Sequence, residues 1–223
     1  MNMFSDVTVV CFDIDWTLIA HSSFQEEETL KLLGLKPDLK FTMQMRFFWD
    51  NVSEKLQNGK IVTEELLLYW ADIMIPYLKE NGIMAKDWLE ASIKSDKTEL
   101  IEGAYEILEY LQNKGYFILA TTNWFTKNQI EILKYHNIFH FFEKVYGWDT
   151  VCAKPNKKAL GNLIDGCNNT SFVLIGDSQY TDIQFANRLK IKSIWYNPNN
   201  NKTSRKIVAT ETIFKLSEIK KYL

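Results

Sequence analysis

The chain has 223 residues, 46% of them apolar and 24% charged, with a formal net charge of −2. That balance belongs to a folded protein of one large domain, or one domain with an insert, and excludes a disordered or collagen-like chain. Near-neutral charge excludes general binding to a nucleic-acid polymer, which needs a basic face, and no apolar run approaches the roughly 20 residues of a membrane span.

Residues 7–12 are a compact apolar run rich in β-branched side chains, which predicts a strand buried on both faces. No basic residue precedes Lys31, so no secretory leader is expected. From about residue 20 to residue 96 no strand pattern appears. Ser22 or Ser23 is placed to cap a helix, with Glu26 three residues after Ser23 as a capping box requires. Gly34 and Pro37 then break the chain, and helices are predicted over 39–58, 63–80 and 86–95, separated by Gly59 and Gly82. Ala104, Ile107, Leu108 and Leu111 recur at helical spacing, and Gly115 stands where that helix would stop. Further strands are predicted at 116–121, 144–146, 172–175 and 193–196, with a polar loop around Pro198. Strands alternating with helices imply an α/β fold with a parallel sheet covered by helices. The four helices between the first strand and the rest read as an insert. Cys11, Cys152 and Cys167 are an odd, sparse set that suits a reducing compartment, so the protein is expected in the cytoplasm.

Asp13 and Asp15 end the first strand, and two residues apart on an extended chain they point the same way. They sit past the carboxyl end of a buried strand, where ligands bind in open α/β sheets. Adjacent anions repel, so a bound cation or a catalytic task would explain them. Later strands also run into polar groups. One continues into Thr121-Thr122-Asn123, another into Gly176-Asp177-Ser178, with Asp182 five residues after Asp177. Thr122, Asn123, Ser178 and Asp182 are good helix caps, and each taken singly reads that way. Lys154 precedes Pro155, which restricts the chain just beyond it.

Taken together and in order, these segments resemble the haloacid dehalogenase-like hydrolase superfamily over nearly the whole chain. The matching motifs are Asp13-x-Asp15-x-Thr17, Thr122, Lys154-Pro155 and Gly176-Asp177-x-x-x-x-Asp182. Ala153-Lys154-Pro155-Asn156 and Leu100-Ile101-Glu102-Gly103-Ala104 are similar to segments of its helical-cap phosphatases, the nucleotidases and phosphoglycolate phosphatases. The resemblance implies a Rossmann-like doubly wound parallel sheet core at residues 1–20 and 97–223, with an inserted helical-bundle cap at 21–96. It also implies a magnesium-dependent phosphatase working through an aspartyl phosphate. Asp13 would be the nucleophile, Asp15 the general acid and base, and Thr122 and Lys154 would hold the phosphoryl group. Asp13, the Asp15 carbonyl and Asp177 would bind the metal, and Asp182 would hold a metal-bound water or pair with Lys154. Close carboxylates at about 4 Å repel by about 4 kcal/mol at an effective dielectric of 20, which a divalent cation offsets. Crowding by these carboxylates is expected to raise the Asp15 pKa so that it can donate a proton.

Two residues depart from the pattern. Trp16 stands where the family often has Gly, and should narrow the site mouth or pack under the cap; Glu102 stands where Pro is common. Asn123, Arg46 and Trp16 are the candidate substrate-binding residues. Arg46, flanked by Met43, Met45, Phe47, Phe48 and Trp49 in a predicted helix, is suited to a second anionic group, while the favoured reading is an amphipathic helix with a solvated arginine. Trp124 and Phe125 either border the substrate or pack between core and cap. The expected partner is a small phosphorylated metabolite such as a nucleoside monophosphate, with no membrane and no nucleic-acid polymer, and the protein a monomer or homodimer. Alternatives are a phosphoglycolate or sugar phosphatase, a phosphomutase, a haloacid dehalogenase, a phosphorylated signalling receiver or a non-catalytic binding module. A dehalogenase needs no acid at Asp15, and a receiver lacks the helical insert.

Overall fold

The computed structural model describes residues 3–22, 25–150, 152–159, 169–202, 204 and 206–223. Ser23, half of the expected capping box, and Cys167 lie outside the described residues. The chain opens with β1 (Val9–Asp13) and a short β2 (Ile19–Ala20). The helices α1 (Gln25–Leu32), α2 (Leu39–Gln57), α3 (Glu64–Met74), α4 (Pro76–Glu80) and α5 (Ala85–Ser95) follow. The rest alternates through β3 (Glu99–Leu100), α6 (Ala104–Asn113), β4 (Phe117–Thr121), α7 (Thr126–Tyr135), β5 (Lys144–Tyr146), β6 (Phe172–Gly176), α8 (Gln184–Leu189), β7 (Lys192–Tyr196) and β8 (Glu211–Ile213).

Six strands form one parallel sheet in the order β5-β4-β1-β6-β7-β8. Side chains alternate between its faces, as the two-residue period of a strand requires. Val10, Phe12, Ile118, Ala120, Val173 and Ile175 pack with Ile107, Leu108 and Leu111 of α6. Cys11, Leu119 and Leu174 pack on the other face with Phe185 and Ala186 of α8. Both faces are covered, so the strands read as unbroken apolar runs. The fold is the expected α/β Rossmann-like type.

The helical segment has its own apolar cluster. Phe41, Met45, Phe48, Val52 and Leu56 form one buried stripe along α2, and they pack with Leu67, Trp70 and Trp88. Asp38 caps α2 by accepting from the amides of Lys40 and Phe41. The same cluster takes in Phe125 and Trp148, so the helices rest on loops beyond the sheet's carboxyl edge. No helix among the described residues is long and apolar enough to cross a membrane.

Three details differ from expectation. The helix predicted over 63–80 is two helices, because Pro76 has no amide hydrogen to continue α3 and instead starts α4 at its first position. Ala20 lies in a strand, since Ile19 and Ala20 pair antiparallel with Leu100 and Glu99. This two-stranded ribbon carries the chain out to the helices and back. The edge strand β8 was not foreseen; its three residues are too few to show a period.

Candidate active site

In a parallel sheet all carboxyl ends lie at one rim, and β1 sits between β4 and β6. Asp13 closes β1 in register with Thr121 of β4, and Phe12 pairs with Ile175, one residue before Gly176. The polar ends of three strands therefore meet by register alone. The loop after β5 adds Lys154, whose side chain is 1% exposed. Its Nζ donates to Asp13 Oδ1 at 2.5 Å and to the Thr121 carbonyl at 3.1 Å, and forms an ion pair with Asp182 Oδ1 at 2.7 Å. Thr17 donates to the other Asp13 oxygen at 3.2 Å.

Asp182 enters this cluster from the turn Gln179–Ile183, where Ser178 donates its amide to Asp182 Oδ2 at 3.0 Å. Gly176 makes the approach feasible, since a Cβ there would lie 2.4 Å from Asp182 Cγ. Carboxylate oxygens of Asp13, Asp177 and Asp182 lie within 4.8 Å of one another. Asp182 Oδ1 is buried and meets the Lys154 ammonium at 2.7 Å. Three carboxylates against one ammonium would leave two negative charges uncompensated with all of them ionised, and an all-oxygen set suits a hard divalent cation. The residues present fit magnesium.

Charge in this cluster shifts the protonation equilibria. Burial, then the Asp182 charge, pushes the Asp13 carboxyl well above its ordinary range, against the pull of Lys154. Asp177 is raised to about 7, first by burial and then by Asp182. Burial works against the Lys154 ammonium, but Asp13 and Asp182 outweigh it and hold the group charged.

Asp15 belongs to a second network. Its carboxylate accepts from Thr122 Oγ1 at 2.9 Å, from Gln129 Nε2 at 2.7 and 2.9 Å, and from His21 Nε2 at 2.8 Å. His21 Nδ1 lies 2.7 Å from Asp96 Oδ2, at the end of α5. Burial opposes a charge on His21, yet hydrogen bonds to Asp15 and Asp96 raise its pKa to about 10, so both ring nitrogens carry protons near neutrality. Burial would also raise Asp15, but hydrogen bonds from His21, Gln129 and Thr122 outweigh it and hold the carboxyl below its ordinary value. This corrects the expectation of a crowded, easily protonated Asp15. Its neighbours are donors rather than acids.

His21, Gln129 and Asp96 were missed in the sequence. His21, one of only three histidines and six residues after Asp15 where the chain leaves the core, was the available signal. Gln129 and Asp96 offered none.

The remaining candidates divide. The Asn123 amide is committed to the Lys154 backbone, accepting from its N at 2.8 Å and donating to its O at 3.0 Å, so it positions Lys154, and Asn123 also lines the cavity beside Asp15. The Thr122 hydroxyl points to Asp15 instead of standing free. A cavity of about 840 Å³ opens beside Asp15, and Trp16, Met45, Trp49, Trp88 and Trp124 line it. Arg46 is exposed and is not among the lining residues. One residue turns a helix by about 100°, so the phase that points Met45 and Trp49 inward turns Arg46 away. Trp124 both lines the cavity and stacks 5.7 Å from Trp49 and 5.0 Å from Trp148, whereas Phe125 is buried in the helical cluster.

The haloacid dehalogenase-like hydrolase profile matches residues 49–196, a span that holds Thr122, Lys154, Asp177 and Asp182 and begins after Asp13. The chain is 28% identical to a phosphoglycolate phosphatase of Aliivibrio fischeri over 82% of its own length and 81% of the relative's. It is 26% identical to a pyrimidine 5′-nucleotidase of Streptococcus pneumoniae over 93% and 91%. Its fold is similar to that of a magnesium-bound HAD hydrolase from Bacillus subtilis, with a TM-score of 0.70 at 22% identity, covering 96% of this chain and 97% of the other.

Proposed function

The chain belongs to the haloacid dehalogenase-like hydrolase family, and from that premise we propose that it is a magnesium-dependent phosphomonoester hydrolase acting through an aspartyl phosphate. Residues 1–20 and 97–223 are the catalytic core in this reading and residues 21–96 the cap. The observation that carries it is the convergence of Asp13, Lys154, Asp177 and Asp182 at one rim of the sheet, with Asp15 beside the cavity.

Asp13 attacks phosphorus, and the bond to the leaving oxygen breaks as the bond to Asp13 forms. Lys154, fixed by Asn123 and Asp182, is the cation beside the transferring group. The leaving oxygen takes its proton through Asp15: the charged His21, 2.8 Å away, passes one to the carboxylate, which must give up a contact with Gln129 or Thr122 to reach the leaving group, and the proton Asp15 later takes from water restores His21. In the second half Asp15 removes a proton from water, which attacks phosphorus and frees Asp13. The donors around Asp15 favour the ionised form that this half needs. Magnesium bound by Asp13, Asp177 and the Asp15 carbonyl, with Asp182 near it, would neutralise the phosphate charge. The substrate in this reading is a small phosphometabolite, with a nucleoside monophosphate favoured and phosphoglycolate or a sugar phosphate second; a pyrimidine nucleotidase and a phosphoglycolate phosphatase are among the relatives. The acid at Asp15 and the carboxylate cluster favour phosphate over halide release.

The test is inorganic phosphate release by the purified chain from a panel of phosphomonoesters, with added magnesium and after exhaustive chelation. Release that depends on magnesium, without halide release from haloacids, is expected. No release from any ester would overturn the reading. Gly176→Ala is expected to lower kcat by about 100-fold, because the new methyl group displaces Asp182 and with it Lys154. An unchanged circular dichroism spectrum would place that loss in the site; full activity would remove the close approach from the account.

A further inference from the structure

Trp16 holds a backbone conformation that its side chain opposes. Its φ is +63°, in the left-handed region where a Cβ crowds the following carbonyl, and glycine is the residue suited to it. The loop demands that conformation. Trp16 donates its amide to the Ile19 carbonyl, while Leu18 and Ile19 both donate to the Ile14 carbonyl. The indole packs 5.6 Å from the His21 ring yet remains 51% exposed, so burial does not compensate for it. A large ring in a strained, half-open position beside Asp15 points to a task other than folding.

The surroundings define the task. The Trp16 ring lines the cavity together with Trp49 of α2 and Trp124 after β4, with Trp88 of α5 buried behind Trp49. The charges in the wall are unbalanced. Among the described lining residues, the acids Asp15, Glu26, Asp96 and Glu131 stand against Lys97 and His21, and His21 is already held between Asp15 and Asp96. A carboxylate or second phosphate on the leaving group would enter a cavity with excess negative charge and no arginine among the described lining residues. A flat uncharged ring would meet aromatic faces.

We infer that Trp16 is a specificity residue that stacks on the ring of an uncharged leaving alcohol, a nucleoside, and that the acidic wall disfavours leaving groups bearing a carboxylate. This inference rests on the hydrolase reading. It goes further by separating the two substrate kinds represented among the relatives and by assigning the selection to this loop.

The experiment compares three esters with the full chain and magnesium. Uridine 5′-monophosphate has a ring and no charge on the leaving alcohol, glycerol 3-phosphate has neither ring nor charge there, and phosphoglycolate has a carboxylate. For the unaltered chain kcat/KM should fall in that order, with uridine 5′-monophosphate at least tenfold above phosphoglycolate. Trp16→Gly suits the backbone, so its Tm should be unchanged or higher. It should lower kcat/KM for uridine 5′-monophosphate about tenfold or more, mainly through KM, as expected for one lost stacking contact. Glycerol 3-phosphate should lose several-fold less than uridine 5′-monophosphate does, and Trp16→Phe should recover most of the nucleotide activity. Equal losses on both esters, an unfolded Trp16→Gly chain, or a preference for phosphoglycolate would each overturn the inference while leaving the hydrolase reading intact. No release from any of the three would overturn both.

Discussion

Asp13→Asn should remove phosphatase activity, by about 1,000-fold or more in kcat, and leave a folded protein. The amide is nearly the size of the carboxylate but is not a usable nucleophile, and covalent catalysis has no substitute for the attacking atom. Folding should tolerate the change because the site is overloaded with negative charge. Asp13 is one of three carboxylates gathered around one ammonium, and burial with the Asp182 charge already pushes its carboxyl upward. Lys154 keeps Asp182 as its partner at 2.7 Å. Thr17, which donates to Asp13 Oδ2, can turn its hydroxyl to accept from the new amide. A melting temperature within a few degrees of the unaltered protein, measured with initial rates at saturating substrate, checks both halves. Appreciable turnover by the folded variant would remove Asp13 from the nucleophile's role.

Lys154→Met should damage both activity and stability. The thioether fills much of the same space, so the loss is chiefly that of the charge. Lys154 is the cation that touches Asp13 and Asp182, and its side chain is 1% exposed. Removing one partner of a buried ion pair commonly costs about 3–5 kcal/mol, because the remaining charge is left without compensation. In a chain of this length that corresponds to a fall in Tm of roughly 10 °C. The transferring phosphoryl group also loses its fixed cation, which should lower kcat by about 100- to 1,000-fold. Calorimetry and phosphate-release assays on the same preparation check the pair of effects. A stable variant with near-normal kcat would show that Lys154 is a spectator.

The sheet and the carboxylate cluster were legible because local rules generate them. Residues 9–13, 117–121 and 172–176 are apolar runs ending in polar groups, and a parallel sheet brings such ends to one rim. The network around Asp15 was not legible. Gln129 is 114 positions from Asp15 and Asp96 is 75 from His21, and no local pattern connects residues so far apart. Without those partners, crowding by carboxylates alone predicts the opposite direction for Asp15. Arg46 stands apart for a different reason. Its residue type fits an anion, but only the packed phase of α2 shows that Met45 and Trp49 face the cavity. Trp16 was visible as a departure from the family pattern, yet its positive φ is a property of the folded loop and of the hydrogen bonds that close it.

The central claim is a covalent bond between Asp13 and phosphorus. Rapid acid quenching of the full chain during turnover of a ³²P-labelled ester, followed by peptide mapping, tests it directly. The account expects a hydroxylamine-labile label on the peptide that contains Asp13, absent from the Asp13→Asn variant. Turnover with no label on the protein, or a label fixed to another residue, would contradict it.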